Sequence, residues 1–187
     1  MSENSGLPRD QTETGPVLWP AAKYCRRTHP TKMADALTRV TAGDYTIEPH
    51  SGIQLTVTRA HDRSTWSDLA FNDSVITRLP GHGVVATELR LRRQLFGYSK
   101  ADGVISCTPS GSTAYRYSAG GPIVSPAVDA IVVSPVAPMA GIGRPIVLGT
   151  SDGLALTLVA PTRQAALEVD RKLAMTLRRQ DTLSFRY

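Results

Sequence analysis

The run from Ala101 to Tyr115 gathers most of the side chains able to do chemistry: Asp102, Cys107, Thr108, Ser110, Ser112, Thr113 and Tyr115, separated by Gly103, Pro109 and Gly111. Val104 to Cys107 reads as a short apolar strand and Thr108-Pro109-Ser110-Gly111 as a tight turn. Ser112 to Tyr115 reads as the first turn of a helix that stops at Gly120-Gly121-Pro122. A strand, turn and helix start in succession direct free backbone N–H groups and several hydroxyls into one spot, which suits an anion or the hydroxyls of a ribose. The same residues also serve as ordinary caps and turn formers.

Other reactive side chains give weaker patterns. His50, His61 and His82 lie near Asp62 and Asp73, but their spacing matches no metal-ligand pattern, so surface loops are expected and no metal site is assigned. Cys25 and Cys107 are far apart with no Cys-x-x-Cys spacing; two reduced thiols are expected, Cys107 as a small buried hydrophobe.

The elements that would hold such a site are mostly strands. Apolar residues alternate with polar ones in GIQLTVTRA (Ile53, Leu55, Val57), in VVATELRLRRQ (Val85, Leu89, Leu91) and in LALTLVAP (Leu154, Leu156, Leu158). The alternation continues at Leu167 and Val169, at Leu173, Met175 and Leu177, and at Leu183, Phe185 and Tyr187. DYTIE, after Gly43, reads the same way. Many short amphipathic strands predict a mainly β fold, a two-sheet antiparallel β-sandwich, with a short helix after the TPSGSTAY segment. Met33, Ala36, Leu37 and Val40 recur at helical spacing, so another short helix is expected around residues 32–40, stopped by Gly43.

At 187 residues the chain fits one ordinary domain with a tail, and 41% hydrophobic with 20% charged residues excludes a disordered or fibrous chain. Residues 1–41 read as a polar leader with the short helix. No apolar run is long enough to span a bilayer and the N-terminus has no signal-peptide pattern, so a cytoplasmic location without membrane contact is expected. The net charge of +5 favours polyanionic partners such as nucleotides or nucleic acid without choosing between them, and the basic residues lack the interleaved aromatics of a single-strand-binding platform.

Asp102-Gly103, Thr108 to Tyr115 and Ser118-Ala119-Gly120-Gly121-Pro122-Ile123 resemble the long signature of the NAD kinase family, in which an Asp-Gly pair precedes TPTGSTAY and SAGGPI. Gly43-Asp44-Tyr45, Phe71-Asn72-Asp73, Ser134-Pro135 and Arg144-Pro145-Ile146-Val147 extend the resemblance over residues 42–187. It implies the C-terminal, NAD-binding β-sandwich of that family. Asn72 and Asp73 would then hydrogen-bond the adenosine ribose or the adjoining phosphates, as an amide and a carboxylate facing vicinal hydroxyls do. Ser110, Thr113, Ala114, Tyr115 and Ser118 would surround the adenine end. Asp102 would reach the nicotinamide-side ribose, in family members often across a subunit boundary, so a homo-oligomer is implied.

The family's N-terminal domain carries a Gly-Gly-Asp-Gly loop that binds the ATP phosphates, and nothing in residues 1–41 resembles it. Phosphoryl transfer depends on positioning and charge neutralisation of the donor. Hence the expectation is a protein that binds NAD, NADP or a smaller adenosine nucleotide as ligand, with no tightly held cofactor and without NAD kinase activity by itself. Two alternatives stay open: changed chemistry in the same pocket, with Asp73 as general base and Asp102 as a second carboxylate, and kinase activity with a partner supplying the ATP domain and magnesium. Asp73 in place of the commoner Glu, together with Arg116, Tyr117 and Met139, departs from the family pattern.

Overall fold

The computed structural model describes residues 33–45, 51–113, 122–125 and 127–187. The chain divides into two units, residues 1–50 and residues 51–187. In the first, α1 (Met33–Thr41) forms where the helical spacing predicts it. Gly43 ends it at φ 76°, a left-handed conformation open to a residue without Cβ. The amide of Asp44 then donates to the carbonyl of Arg39 (2.9 Å). Asp44 and Tyr45 therefore belong to the helix-ending turn rather than to a strand, and the rest of DYTIE lies outside the described residues.

Thirteen strands follow among the described residues. The first seven are β1 (Ile53–Thr58), β2 (Thr65–Ala70), β3 (Asp73–Arg78), β4 (Val85–Leu91), β5 (Gln94–Ala101), β6 (Gly103–Cys107) and β7 (Ala130–Val136). Then come β8 (Ala140–Gly141), β9 (Ile146–Gly149), β10 (Leu154–Leu158), β11 (Gln164–Val169), β12 (Lys172–Arg178) and β13 (Thr182–Arg186). They form two antiparallel sheets, a seven-stranded one in the order β2-β1-β13-β10-β4-β5-β8 and a six-stranded one in the order β12-β11-β3-β6-β7-β9. The mainly β, two-sheet fold is the one that the alternation predicts.

Where strands alternate, one face is buried. Leu55 and Val57 of β1, Leu156 of β10 and Leu183 of β13 meet Ile76, Val104, Leu167 and Leu177 of the other sheet in one core. Each fully buried aliphatic side chain of this kind contributes about 1.5–3 kcal/mol. The central strands of the six-stranded sheet do not alternate, because both of their faces are covered: β6 and nearly all of β7 are buried throughout. A second, smaller cluster of Val75, Ile105, Cys107 and Val132, with Val124 and Val136 packed on it, lies on the outer face of that sheet.

One expected core residue points outward. The pairing of β11 with β12 shifts register between Leu167 and Glu168, so that Leu167 faces Met175 whereas Glu168 faces Leu173. The extra residue, Ala174, reverses the side of the sheet, and Leu173 is 71% exposed while Leu177 is buried.

Candidate functional site

The two residues between β2 and β3, Phe71 and Asn72, together with Asp73, pack against the end of β6 and the turn that follows it. Asp73 stands in register opposite Cys107. Beyond Cys107, the amide of Thr108 donates to the carbonyl of Asn72 (2.9 Å). The Thr108 hydroxyl donates to the carbonyl of Phe71 (2.8 Å) and accepts from the amide of Gly111 (2.9 Å). Thr108 thus fastens the 71–73 segment to the 3-10 turn Ser110–Thr113. A Cβ built on Gly111 would overlap the Asn72 carbonyl, so only glycine allows this approach. Ser112 is buried, and its hydroxyl bonds to the amide (3.1 Å) and carbonyl (3.3 Å) of Val124, which ties residues 122–125 to the same turn.

The third wall is the two-residue turn between β11 and β12. Asp170 and Arg171 both have positive φ, 46° and 67°, as a two-residue hairpin turn of primed type requires. The Asp170 carboxylate accepts from the amides of Phe71 (2.9 Å), Asn72 (2.7 Å) and Asp73 (3.2 Å). The amide of Asp170 in turn donates to the carbonyl of Asp73 (2.9 Å).

Asp73 itself is 2% exposed. Among the described residues no hydrogen bond reaches its carboxylate oxygens, and their environment is unfavourable to charge. Burial, then the neighbouring Asp170 carboxylate and more weakly Glu168, push its pKa up to about 6, with Arg171 acting against them. A buried carboxylate without a hydrogen-bond partner is costly unless a donor is brought to it. Vicinal ribose hydroxyls are such donors, and Asn72 beside it offers both a carbonyl and an amide.

The structure brings Asn72, Asp73, Ser110 and the backbone of Thr113 together. Ala114, Tyr115 and Ser118 lie outside the described residues. It does not bring Asp102 to them within one chain. Asp102 precedes β6 at its other end, about 17 Å along the strand from Cys107. There it pairs with Arg78 (Nε to Oδ1, 3.0 Å) while its backbone bonds Arg78 and Val136. Sequence reasoning passed over Asp170, although an Asp at the break between two alternating strands is a hairpin signal. His61 and His82 are exposed, Cys107 is buried, and among the described residues no group of three His, Cys, Asp or Glu is placed to hold a metal.

Comparison with known proteins decides the family. Residues 71–187 match the ATP-NAD kinase C-terminal domain. The chain belongs to the NAD kinase family. It is 38% identical over 135 residues to an NAD kinase of Symbiobacterium thermophilum, covering 72% of this chain and 47% of that protein. It is 40% identical over 129 residues to an NAD kinase of Bordetella pertussis, covering 69% and 43%. The chain thus spans about half the length of the NAD kinases it matches. Among solved structures it is similar to yeast NADH kinase complexed with NADH, with a TM-score of 0.74, 25% identity, and coverage of 83% of this chain and 45% of that one. An NAD kinase from Archaeoglobus fulgidus in complex with ATP shares the fold, with a TM-score of 0.63 at 20% identity, covering 86% and 59%. Among the described residues no helix is long and apolar enough to cross a membrane.

Proposed function

We propose that residues 51–187 form a dinucleotide-binding domain that takes NAD or NADP, with Asn72 and Asp73 on the adenosine ribose. Ser110, Thr113, Ala114, Tyr115 and Ser118 surround the adenine end, and Asp102 serves the second ribose of a dinucleotide held by a neighbouring copy. The observation that carries this reading is the buried Asp73 carboxylate, which finds no hydrogen-bond donor among the described residues and stands beside Asn72. The position of Asp102, half-exposed and a strand length from Asp73, suits a role toward a second subunit's ligand. These residues supply the dinucleotide side of such a site, and phosphoryl transfer needs in addition groups that position the donor and neutralise its phosphates.

Thermal shift with NAD, NADP, AMP and adenosine tests the binding, since a ligand of the folded state raises its melting temperature. A mass-spectrometric time course with NAD, ATP and magnesium tests the chemistry. Stabilisation by NAD or NADP without new product is expected, and no shift with any of the four compounds contradicts the proposal. A second reading, hydrolysis or rearrangement of the bound nucleotide, is favoured by one observation only, an Asp73 that titrates near about 6 as a general base should. A product formed from NAD without ATP, and lost in Asp73→Asn, decides for it.

A further inference from the structure

We infer that Asp170 is a positioning residue of this site: its carboxylate fixes the backbone of residues 71–73 and thereby the direction in which Asn72 and Asp73 present their side chains. The inference rests on the dinucleotide reading above and adds a residue that touches no ligand. Both carboxylate oxygens are taken up by the protein, Oδ2 by the amide of Phe71 and Oδ1 by those of Asn72 and Asp73. Three consecutive N–H groups converging on one anion form a backbone nest, here filled from within the chain. Bonds to an ionised acceptor are short and strong, and the 2.7 Å bond to Asn72 is of that kind. The return bond from the Asp170 amide to the Asp73 carbonyl closes the clamp.

The clamp also couples the two carboxyl groups. Asp73 is faced by Asp170 and Arg171 from the turn, by Glu168 from β11 and by the Cys107 thiol from β6. The Asp170 charge that gathers the three amides is therefore one of the charges that oppose ionisation of Asp73. Arg171, exposed at positive φ in the same turn, offsets part of that effect.

The variant to make is Asp170→Asn, which has nearly the same shape. Its single carbonyl oxygen can keep the amides of Asn72 and Asp73, but its NH2 group meets the N–H of Phe71, donor against donor. With the fold checked by circular dichroism, calorimetric titration with NAD or NADP is expected to show affinity weaker by about ten-fold or more, as misplaced binding groups cost. In the same protein without ligand, 13C-carboxyl NMR is expected to show Asp73 titrating at lower pH than in the wild type. The Asp73 shift reports the lost charge, whereas the affinity reports the positioning: a merely structural Asp170 would lower the melting temperature and leave the affinity unchanged. A folded Asp170→Asn protein with unchanged affinity overturns the inference.

If that variant does not fold, the wild type decides: NMR couplings through the hydrogen bonds must link the amides of Phe71, Asn72 and Asp73 to the Asp170 carboxyl carbon, and their absence refutes the clamp. If the wild type binds neither NAD nor NADP, the dinucleotide reading fails. The amide couplings still show in that case whether Asp170 holds the segment.

Discussion

Replacing Asp73 by Asn should make the protein more stable and less able to bind, and the two effects are separable by pH. The carboxyl is 2% exposed and titrates near about 6 in the folded chain against 3.8 for an ordinary aspartate. Because the folded pKa lies above the unfolded one, the folded state holds this proton more tightly. Below pH 3.8 the group is protonated in both states and costs nothing; stability falls as pH rises from there to about 6, and above that the loss is complete. The difference between the two titration points corresponds to roughly 3 kcal/mol. Urea denaturation of wild type and Asp73→Asn at pH 4 and at pH 8 measures it. The variant is expected to match the wild type at pH 4 within about 1 kcal/mol and to exceed it by roughly 3 kcal/mol at pH 8. A variant equally stable or less stable at pH 8 refutes the claim that an ionised carboxylate is buried at a cost here.

Other parts of the structure give sharper yes-or-no outcomes. Gly111→Ala forces the Asn72 carbonyl away from the turn and breaks the bond from the Thr108 amide to that carbonyl and the bond from the Gly111 amide to the Thr108 hydroxyl, so chemical denaturation is expected to show a loss of about 2 kcal/mol, about 1 kcal/mol for each. The reversal of side at Ala174 predicts that Leu177→Ala costs about 3 kcal/mol whereas Leu173→Ser changes stability by less than about 0.5 kcal/mol, and equal costs would contradict the register shift. Asp181 is buried and accepts from the amides of Ala60 (2.9 Å) and Arg178 (2.9 Å) and from the guanidinium of Arg59 (2.8 Å). Its replacement by Ala strands all three donors and is expected to cost about 3 kcal/mol in the same assay.

The strands with one wet face were legible in the sequence, because a period of two follows directly from burying one side of a pleated strand. Strand β6 was read from its apolar run rather than from alternation, and β7 was not read, for the converse reason: Gly103 to Cys107 and Ala130 to Pro135 are covered on both faces, with even Ser106 and Ser134 buried, so no wet face sets a period of two. Leu173 carries no local sign that a bulge at Ala174 sends it outward, since a bulge depends on how β11 and β12 pair. In the candidate site, the family signature is what singled out Asn72, Asp73 and the Thr108 to Tyr115 run as expected ligand-binding residues. What that reading could not supply was the reason these segments meet: the hydroxyl of Thr108, the missing Cβ of Gly111 and the carboxylate of Asp170 act between residues up to about a hundred positions apart. The two carboxylates, Asp73 and Asp102, appear close in function by analogy yet stand at opposite ends of β6, a separation that only strand pairing reveals.

The most direct test of the central claim is a calorimetric titration of the whole chain with NAD and NADP, repeated with Asp73→Asn. Saturable binding of at least one of the two dinucleotides by the wild type is expected, with an affinity weaker by about a hundred-fold or more in the variant, since the ribose would lose bonds to a buried charged acceptor. Equal binding by both proteins, or no heat from either at high protein concentration, would contradict it.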